Sequence, residues 1–478
     1  VAERKFYYDN LAHGVIAQGN LTKEERLVSG STYIDIERTY NTFGLVATEK
    51  DPRDKTTTFS YFQDLYVGTT TNPVNHVVET YRDLSSSKVT RLIDANGREF
   101  KTTYDALDRP TKEEIPDHLG TPSSLVTKTD YAYTDTVGSR KVVRTDHLSS
   151  ATSTDIYTYL DGFDRVIQER AEAEGNSTYV VSDTAYNMRG SVGTTSLPYF
   201  ASSTARSSIT SDSDLLVVST YDPLGRITSI VDTVGTESHS YDQWEEVITD
   251  RLSNTKDLTS DAFGNLVQVE ERDGGSTFTT AYTYDALDNL TKITDSLSNI
   301  RNFTYDNLSR LTKSEDLHDS ADTTFASTTF SYDDSGNITS KLDQKNQTVN
   351  FTYDDINRVL TEDHTGEAGT EIEFGYDWCT EGKGLLCSAT TTDAITNIVY
   401  DALGSVTSES REIDSTTYTT TFTHDRLGNQ TQITHPDGLI VFYKFNSAGL
   451  LETVDTQLVG STSPETIIED FDYGPHGK

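Results

Sequence analysis

The sequence predicts an all-β protein in which tandem β-hairpins pair into one continuous, spiralling sheet. The first observation is composition. Tyr (27) and Phe (18) are plentiful, Met (1), Pro (10) and Trp (2) are scarce, and strand-favouring Thr and Val recur throughout. The second is the lack of extended runs of Ala, Glu, Lys and Leu that would build long helices. The third is a phrase that returns along the chain. It reads "YDALDRPTKEE" at Tyr104, "YDPLGRITSIVD" at Tyr221, "YDALDNLTKITD" at Tyr284, "YDNLSRLTKSED" at Tyr305, "YDDSGNITSKLD" at Tyr332 and "YDALGSVTSES" at Tyr400.

Aligned, the copies read Tyr, Asp, any residue, an apolar residue, Gly or a substitute, then Arg or Asn. The fifth position holds Gly225, Gly336, Gly404 and Gly428, and elsewhere Asp108, Asp288, Ser309 and Asn357. Gly, Asn and Asp tolerate positive φ at lowest cost, so this position is expected to turn the chain through a left-handed conformation. The preceding acids Asp105, Asp222, Asp285, Asp306, Asp333, Asp354 and Asp401 can accept hydrogen bonds from backbone N–H groups of the same turn. The fourth position, as in Leu107, Leu224, Leu287, Leu308, Ile356, Leu403 and Leu427, is expected to pack beneath the turn.

Alternation flanks each turn. "RNFTYD" at 301–306 and "VNFTYD" at 349–354, ending in Tyr305 and Tyr353, alternate aromatic and polar residues. Ile227, Leu290, Leu311, Ile338, Val359 and Val406 lie two residues past the fifth position. Period two on both sides of a tight turn defines a β-hairpin. The recurring Tyr is expected to stack on its counterpart in the next hairpin. From Tyr284 the spacings are 21, 27, 21, 23, 24 and 24 residues, ending at His424 in the Tyr position of "HDRLGN". A unit of about 20–25 residues is two strands and two turns, which bury a core only by stacking on neighbours.

Looser copies at 7–20 and 40–51 make residues 1–50 a lead-in with degenerate repeats, followed by the array at 51–478. Ser-, Thr- and Pro-containing insertions at 110–135 and 187–215 read as surface loops. The opening "VAERKFYYDN" lacks the features of a signal peptide, and "FDYGPHGK" reads as a repeat cut in mid-phrase. The chain is therefore expected to be a fragment of a longer polypeptide. No apolar run of membrane-spanning length is present, so membrane insertion by this segment is not expected.

The formal net charge of −37 speaks against nucleic-acid and anionic-lipid partners and suits a solvated exterior or a basic partner. Cys379 and Cys387 flank a stretch containing Gly382 and Gly384, a spacing that suits two strands facing across a tight turn. A disulfide is the expectation, implying an oxidising compartment; two free thiols or half a metal site are the alternatives. No cofactor or metal is expected. "DHLG" at 117–120, "DHLS" at 146–149 and "DHTG" at 363–366 read as turns, and no nucleophile, P-loop or zinc motif is present. One Asp per turn is explained by turn capping, with a structural Ca²⁺ as the lesser reading. Sequons at Asn20, Asn176, Asn302 and Asn350 are those a Thr-rich repeat generates readily.

The phrases "YDALDRPTK", "YDPLGRITSIVD" and "YDNLSRLTK", with "IDANGREFKTTYDALDR" at 93–109, resemble the YD repeats of the RHS (rearrangement hotspot) family across nearly the whole chain. The resemblance implies a sheet that spirals into a hollow shell. In bacterial RHS proteins and Tc toxins such a shell encloses a toxic C-terminal domain; in teneurins a similar barrel belongs to an adhesion ectodomain. "DPRD" at 51–54 and "DPLG" at 222–225 match the family's self-cleavage motif only superficially, so no catalytic residue carries over. The resemblance thus implies a non-catalytic, extracellular or cell-surface shell whose partner is an enclosed C-terminal effector of the same polypeptide. A surface scaffold meeting a cell-surface protein or glycan is the alternative.

Overall fold

The computed structural model describes residues 3–118, 124–175, 177–366 and 369–475. Among them, 41 strands form a single antiparallel sheet, and the one helical element is the 3₁₀ turn Ser213–Leu215. Nearly every strand pairs with the next in sequence. The strands of 1–50 run straight into the array, with Thr48 opposite Thr58. The exceptions are two strands shared between neighbours: Tyr179–Tyr186 pairs with both Val192–Ser196 and Tyr199–Ala201, and Asn299–Tyr305 with both Leu311–Glu315 and His318–Asp319. The terminal strands Arg4–Tyr8 and Glu465–Ile468 each pair on one side, so the sheet is open.

The hairpin geometry follows from the repeat. Tyr104, Tyr221, Tyr284, Tyr305, Tyr332, Tyr353 and Tyr400 each end a strand. The register then slips by one residue: Thr220 faces Ser229, whereas Tyr221 faces Ile227, and the same shift recurs at Tyr284, Tyr305, Tyr332, Tyr353 and Tyr400. Such a bulge at every repeat strengthens local twist and bends the sheet. Repetition turns a flat ladder into a spiral.

Because hairpins alternate in direction, the turns fall into two rows, one along each rim. One rim carries the Tyr-Asp turns. The other carries turns such as Asp51–Lys55, Asn72–His76 and Asp94–Arg98. After one winding the second rim of the early chain meets the Tyr-Asp rim of the later chain. Contacts then link residues 283 to 306 positions apart: Arg53 to Asp354 and Asn357, Asn96 to Lys383, Arg98 to Glu381, His118 to His424, and Glu174 to Tyr473.

The wall is one sheet thick and has no thick apolar centre. Its buried apolar residues, such as Ile34, Ile115, Val181, Val269 and Val454, are spread along the chain. Stability is accordingly a sum over neighbouring hairpins. The insertions are not the surface loops expected. Pro110–Pro116 and Leu125–Thr134 extend the ladder, with residues 119–123 outside those described. Part of the 187–215 insertion likewise forms strands, and residues 203–210 lie across the sheet over Gln168, Arg170 and Asp183. Arg170 donates to Ser203 O at 2.6 Å and Ser207 Oγ at 2.8 Å, and Thr210 N–H donates to Asp183 at 3.0 Å. The buried polar groups of the sheet need these partners, which is why a Ser/Thr-rich segment covers them.

Candidate functional site

The repeated turn is the unit from which the wall is made. At the fifth position φ is +60° at Asp108 and Asp288, +63° at Ser309, +67° at Asn357, +85° at Gly225, +91° at Gly336 and +83° at Gly404. The capping acid closes the turn from inside. Oδ1 of Asp105, Asp222, Asp285, Asp306, Asp354 and Asp401 accepts N–H groups two and four residues on, at 2.8–3.1 Å; Asp333 accepts from Asn337 at 2.8 Å. The second oxygen binds the sixth-position side chain: Arg Nε of 109, 165, 226, 310 and 358 at 2.6–2.8 Å, or Asn Nδ2 as at Asn289, Asn337 and Asn429. The Arg109 guanidinium holds the Asp105 carboxyl below its ordinary value, and the Asn254 amide does the same for Asp250.

That arginine also clamps the next unit. Its guanidinium lies over the following Tyr ring, 4.0 Å from the centroid for Arg109 on Tyr133, 4.1 Å for Arg165 on Tyr186 and Arg226 on Tyr241, 4.2 Å for Arg358 on Tyr376 and 4.7 Å for Arg310 on Tyr332. The Tyr hydroxyl then donates to the carbonyl of the residue just after the arginine, at 2.7–3.0 Å. Tyr104, Tyr221, Tyr284, Tyr353 and Tyr400 make the same bond to a strand-opening carbonyl of the preceding unit. The expected Tyr-on-Tyr stack between repeats does not occur. Successive Tyr positions are two strands, about 9.5 Å, apart, beyond aromatic contact at ~4.5–7 Å. The recurrent sixth-position Arg was the signal for the clamp.

The fourth position also departs from expectation. Leu107 and Leu224 are 68% and 79% exposed and do not pack beneath their turns. Leu308, Ile356, Leu403 and Leu427 belong to the covered part of the Tyr-Asp rim and are half-buried.

The seam between windings is polar. The Arg53 guanidinium donates to Asp354 O at 2.6 Å and Asn357 Oδ1 at 2.7 Å, and its Nε lies 3.6 Å from Asp333. Lys55 pairs with Asp355 at 2.6 Å. Nothing local marks these pairs, since the partners are a full winding apart.

A disulfide joins Cys379, in the turn that links Ile372–Tyr376 to Leu386–Thr391, to Cys387 at the start of the latter strand. A Cβ at Gly382 would fall 2.7 Å from Cys387 Sγ and closer still to Cys379 Sγ, so only glycine lets the backbone lie against the bridge. This turn faces the seam. Lys383 N–H donates to Asn96 Oδ1 at 3.0 Å, Asn96 Nδ2 donates to Lys383 O at 3.3 Å, and Arg98 Nε donates to Glu381 at 2.7 Å. Asp377 meets His76 at 3.3 Å and accepts from Arg358 and from Gly384 N–H. Burial pushes the Asp377 carboxyl up, but these hydrogen bonds outweigh it and leave the value lowered.

Outside the seam, little points to chemistry. His147 pairs with Asp130 at 2.9 Å, and Asn302 and Asn350 bind Glu315 and Thr365. Asn176 and residues 119–120 lie outside those described. Among the described residues one group, Glu174, Asp470 and Asp472, brings three carboxylates together; two are exposed, and no other feature points to an ion there. No described helix is long and apolar enough to cross a membrane.

Hairpins clamped in series and wound against themselves define a YD-repeat shell wall. The Teneurin YD-shell family model matches residues 118–377, and the chain belongs to that family; the RHS repeat model matches 400–440. No curated protein matches the chain in sequence. Among solved structures, the TcdB2-TccC3 crystal structure is similar over 99% of this chain and 31% of that one, with 15% identity and a TM-score of 0.87. TcdB2-TccC3 without its hypervariable C-terminal region gives 100% and 33% coverage, 14% identity and 0.86. The Photorhabdus luminescens Tc holotoxin pore gives 99% and 32%, 13% identity and 0.83. At these identities the likeness is one of fold, and the chain spans about a third of the length of the solved chains it resembles.

Proposed function

We propose that this chain is wall material of an extracellular shell that encloses and shields an effector domain carried by the same polypeptide. The observation that supports it most is the winding of the sheet back onto itself, with partners such as Arg98 and Glu381, 283 residues apart, and His118 and His424, 306 apart. About 25 strands lie in one winding. At ~4.8 Å per strand a circular winding measures about 120 Å around and about 38 Å across between backbones. With side chains subtracted, that bore suits a small or unfolded domain, since a folded 100-residue domain has a radius of gyration of about 13 Å. The disulfide suits an oxidising exterior.

A surface scaffold for adhesion is the second reading, favoured by the match to the Teneurin YD-shell model. The test is native against denaturing separation of the full-length polypeptide, each piece identified by mass spectrometry. A C-terminal fragment that is already severed yet travels with the repeats until denaturation supports enclosure. A single uncleaved polypeptide with nothing protected from added protease overturns it in favour of the scaffold.

A further inference from the structure

Of the 478 residues, two are cysteines, and they sit where two windings touch. Tyr-Asp turns such as Asp222–Arg226, Asp333–Asn337 and Asp354–Arg358 are five residues long and are held by an Asp cap and a sixth-position Arg or Asn. The turn after Tyr376 is longer, running from Asp377 to Leu385 before the strand Leu386–Thr391 begins. Its own hydrogen bonds are few: Asp377 N–H to Leu385 O at 3.2 Å, Gly382 N–H to Cys379 O at 3.0 Å, Leu385 N–H to Gly382 O at 2.8 Å, Gly384 N–H to Asp377 Oδ1 at 2.7 Å, and Cys379 N–H to Cys387 Sγ at 3.0 Å. One of these runs to a bridge sulfur, and the Gly382 backbone lies against both sulfurs. The covalent bridge is therefore the frame on which Glu381, Gly382 and Lys383 are hung. Those same residues reach across the seam to Asn96 and Arg98.

We propose that the Cys379–Cys387 disulfide is a redox latch: intact, it holds the 379–387 loop in the shape that grips the turn Asp94–Arg98 of the other winding; reduced, it lets go of that stretch of seam. Cys387 is fully buried and Cys379 only half-buried, so the Cys379 side is the one open to attack. A small dithiol supplies the electrons. Its thiolate attacks Cys379 Sγ, and the S–S bond breaks with the electron pair leaving on Cys387, which takes up a proton. The second thiol of the reductant then attacks its own sulfur in the mixed disulfide and releases Cys379 as a thiol. Two electrons and two protons pass to the protein, and the reductant leaves as a cyclic disulfide.

Freed of the cross-link, the loop regains the conformational freedom that the bridge removes. Each seam contact then needs the loop ordered anew at every encounter. Asp377 stays held by Arg358 from its own winding, so release is confined to the loop and its partner turn. The latch depends on the seam geometry alone and holds whether or not an effector lies inside.

The test is amide hydrogen exchange on the full chain, oxidised and after treatment with dithiothreitol. Asp94 and Gly97 N–H groups are bonded within the partner turn, and those of Asp51 and Asp54 serve as a control farther along the seam. The expected result is exchange at 94–98 faster by roughly tenfold or more on reduction, with 51–55 unchanged. The Cys379→Ser/Cys387→Ser double variant should show the same fast exchange without reductant. Arg98→Ala should speed exchange at 94–98 in the oxidised protein and shrink the further effect of reduction. Faster exchange inside 377–387 with none at 94–98 overturns the latch, leaving a bridge that braces only its own loop. Uniform loss of protection along the chain also overturns it, because the bridge would then support the whole fold.

Discussion

The guanidinium of Arg358 lies 4.2 Å from the ring centroid of Tyr376, and the hydroxyl of that tyrosine donates to the carbonyl of Val359, the very next residue after the arginine. Arg358 at the same time binds Asp354 and Asp377, so one side chain fastens its own turn to the next. Arg358→Ala should lower stability by about 1–2 kcal/mol, from the lost stacking and charge-assisted bonds. Arg358→Lys should restore only part, since an ammonium lacks the planar fork. Urea unfolding of the two variants checks this; full rescue by lysine would reduce the clamp to simple charge.

Tyr353 makes the same link without an arginine over it, and its hydroxyl donates to Ile338 O at 2.8 Å. Tyr353→Phe keeps the ring and removes only that bond. The expected cost is about 1 kcal/mol. An unchanged urea midpoint would mean that the ring, not the hydroxyl, joins the units.

Gly336 has φ +91° and nothing within 4 Å of a built Cβ, so any penalty of a side chain there is in the backbone. Gly336→Val should destabilise the hairpin by roughly 1–2 kcal/mol or more, and Gly336→Asn by clearly less. Equal effects of the two, read from thermal unfolding, would place the cost in crowding instead of in φ.

Stability should also depend on pH at both extremes. Several turn carboxyls have lowered values in the folded chain: the Arg109 guanidinium lowers that of Asp105, and the N–H of Gly19, joined by those of Ala17, Gln18 and Asn20, brings Asp9 down to about 2. A folded value below the unfolded one of about 3.9 contributes stability that is present above roughly pH 4 and lost as pH falls toward about 2. The hydroxyls move the other way. Burial pushes up those of Tyr332, Tyr353 and Tyr400, and that of Tyr131 to about 12. Their contribution is present below about pH 10 and lost as pH rises through the raised values. Urea midpoints measured across pH should form a plateau that falls at both ends; a flat profile down to pH 2 would sink the acid arm.

The hairpin was legible in the sequence because its determinants are local. Asp222 and Gly225 sit three residues apart, and the turn chemistry they specify needs no distant partner. The sixth-position arginine was visible, but its role was not, because Arg226 acts on Tyr241, a residue of the next unit. The fate of the apolar fourth position was hidden for a larger reason. Leu224 and Leu403 are read identically in sequence, and only the path of the sheet decides which stands free and which is covered. The same holds for Arg53 and Asp354: no period of about 20–25 residues predicts a partner a whole winding away.

The two facing rims engage like the flanks of a screw thread. The pitch is set by how many hairpins fill one revolution, so deleting a single hairpin between His118 and Asp333 would advance every later tooth by one notch. Arg53 would then face the wrong gap, and so would Asn96, Arg98 and His118 in turn. The wall is therefore intolerant of change in the number of its teeth within a revolution.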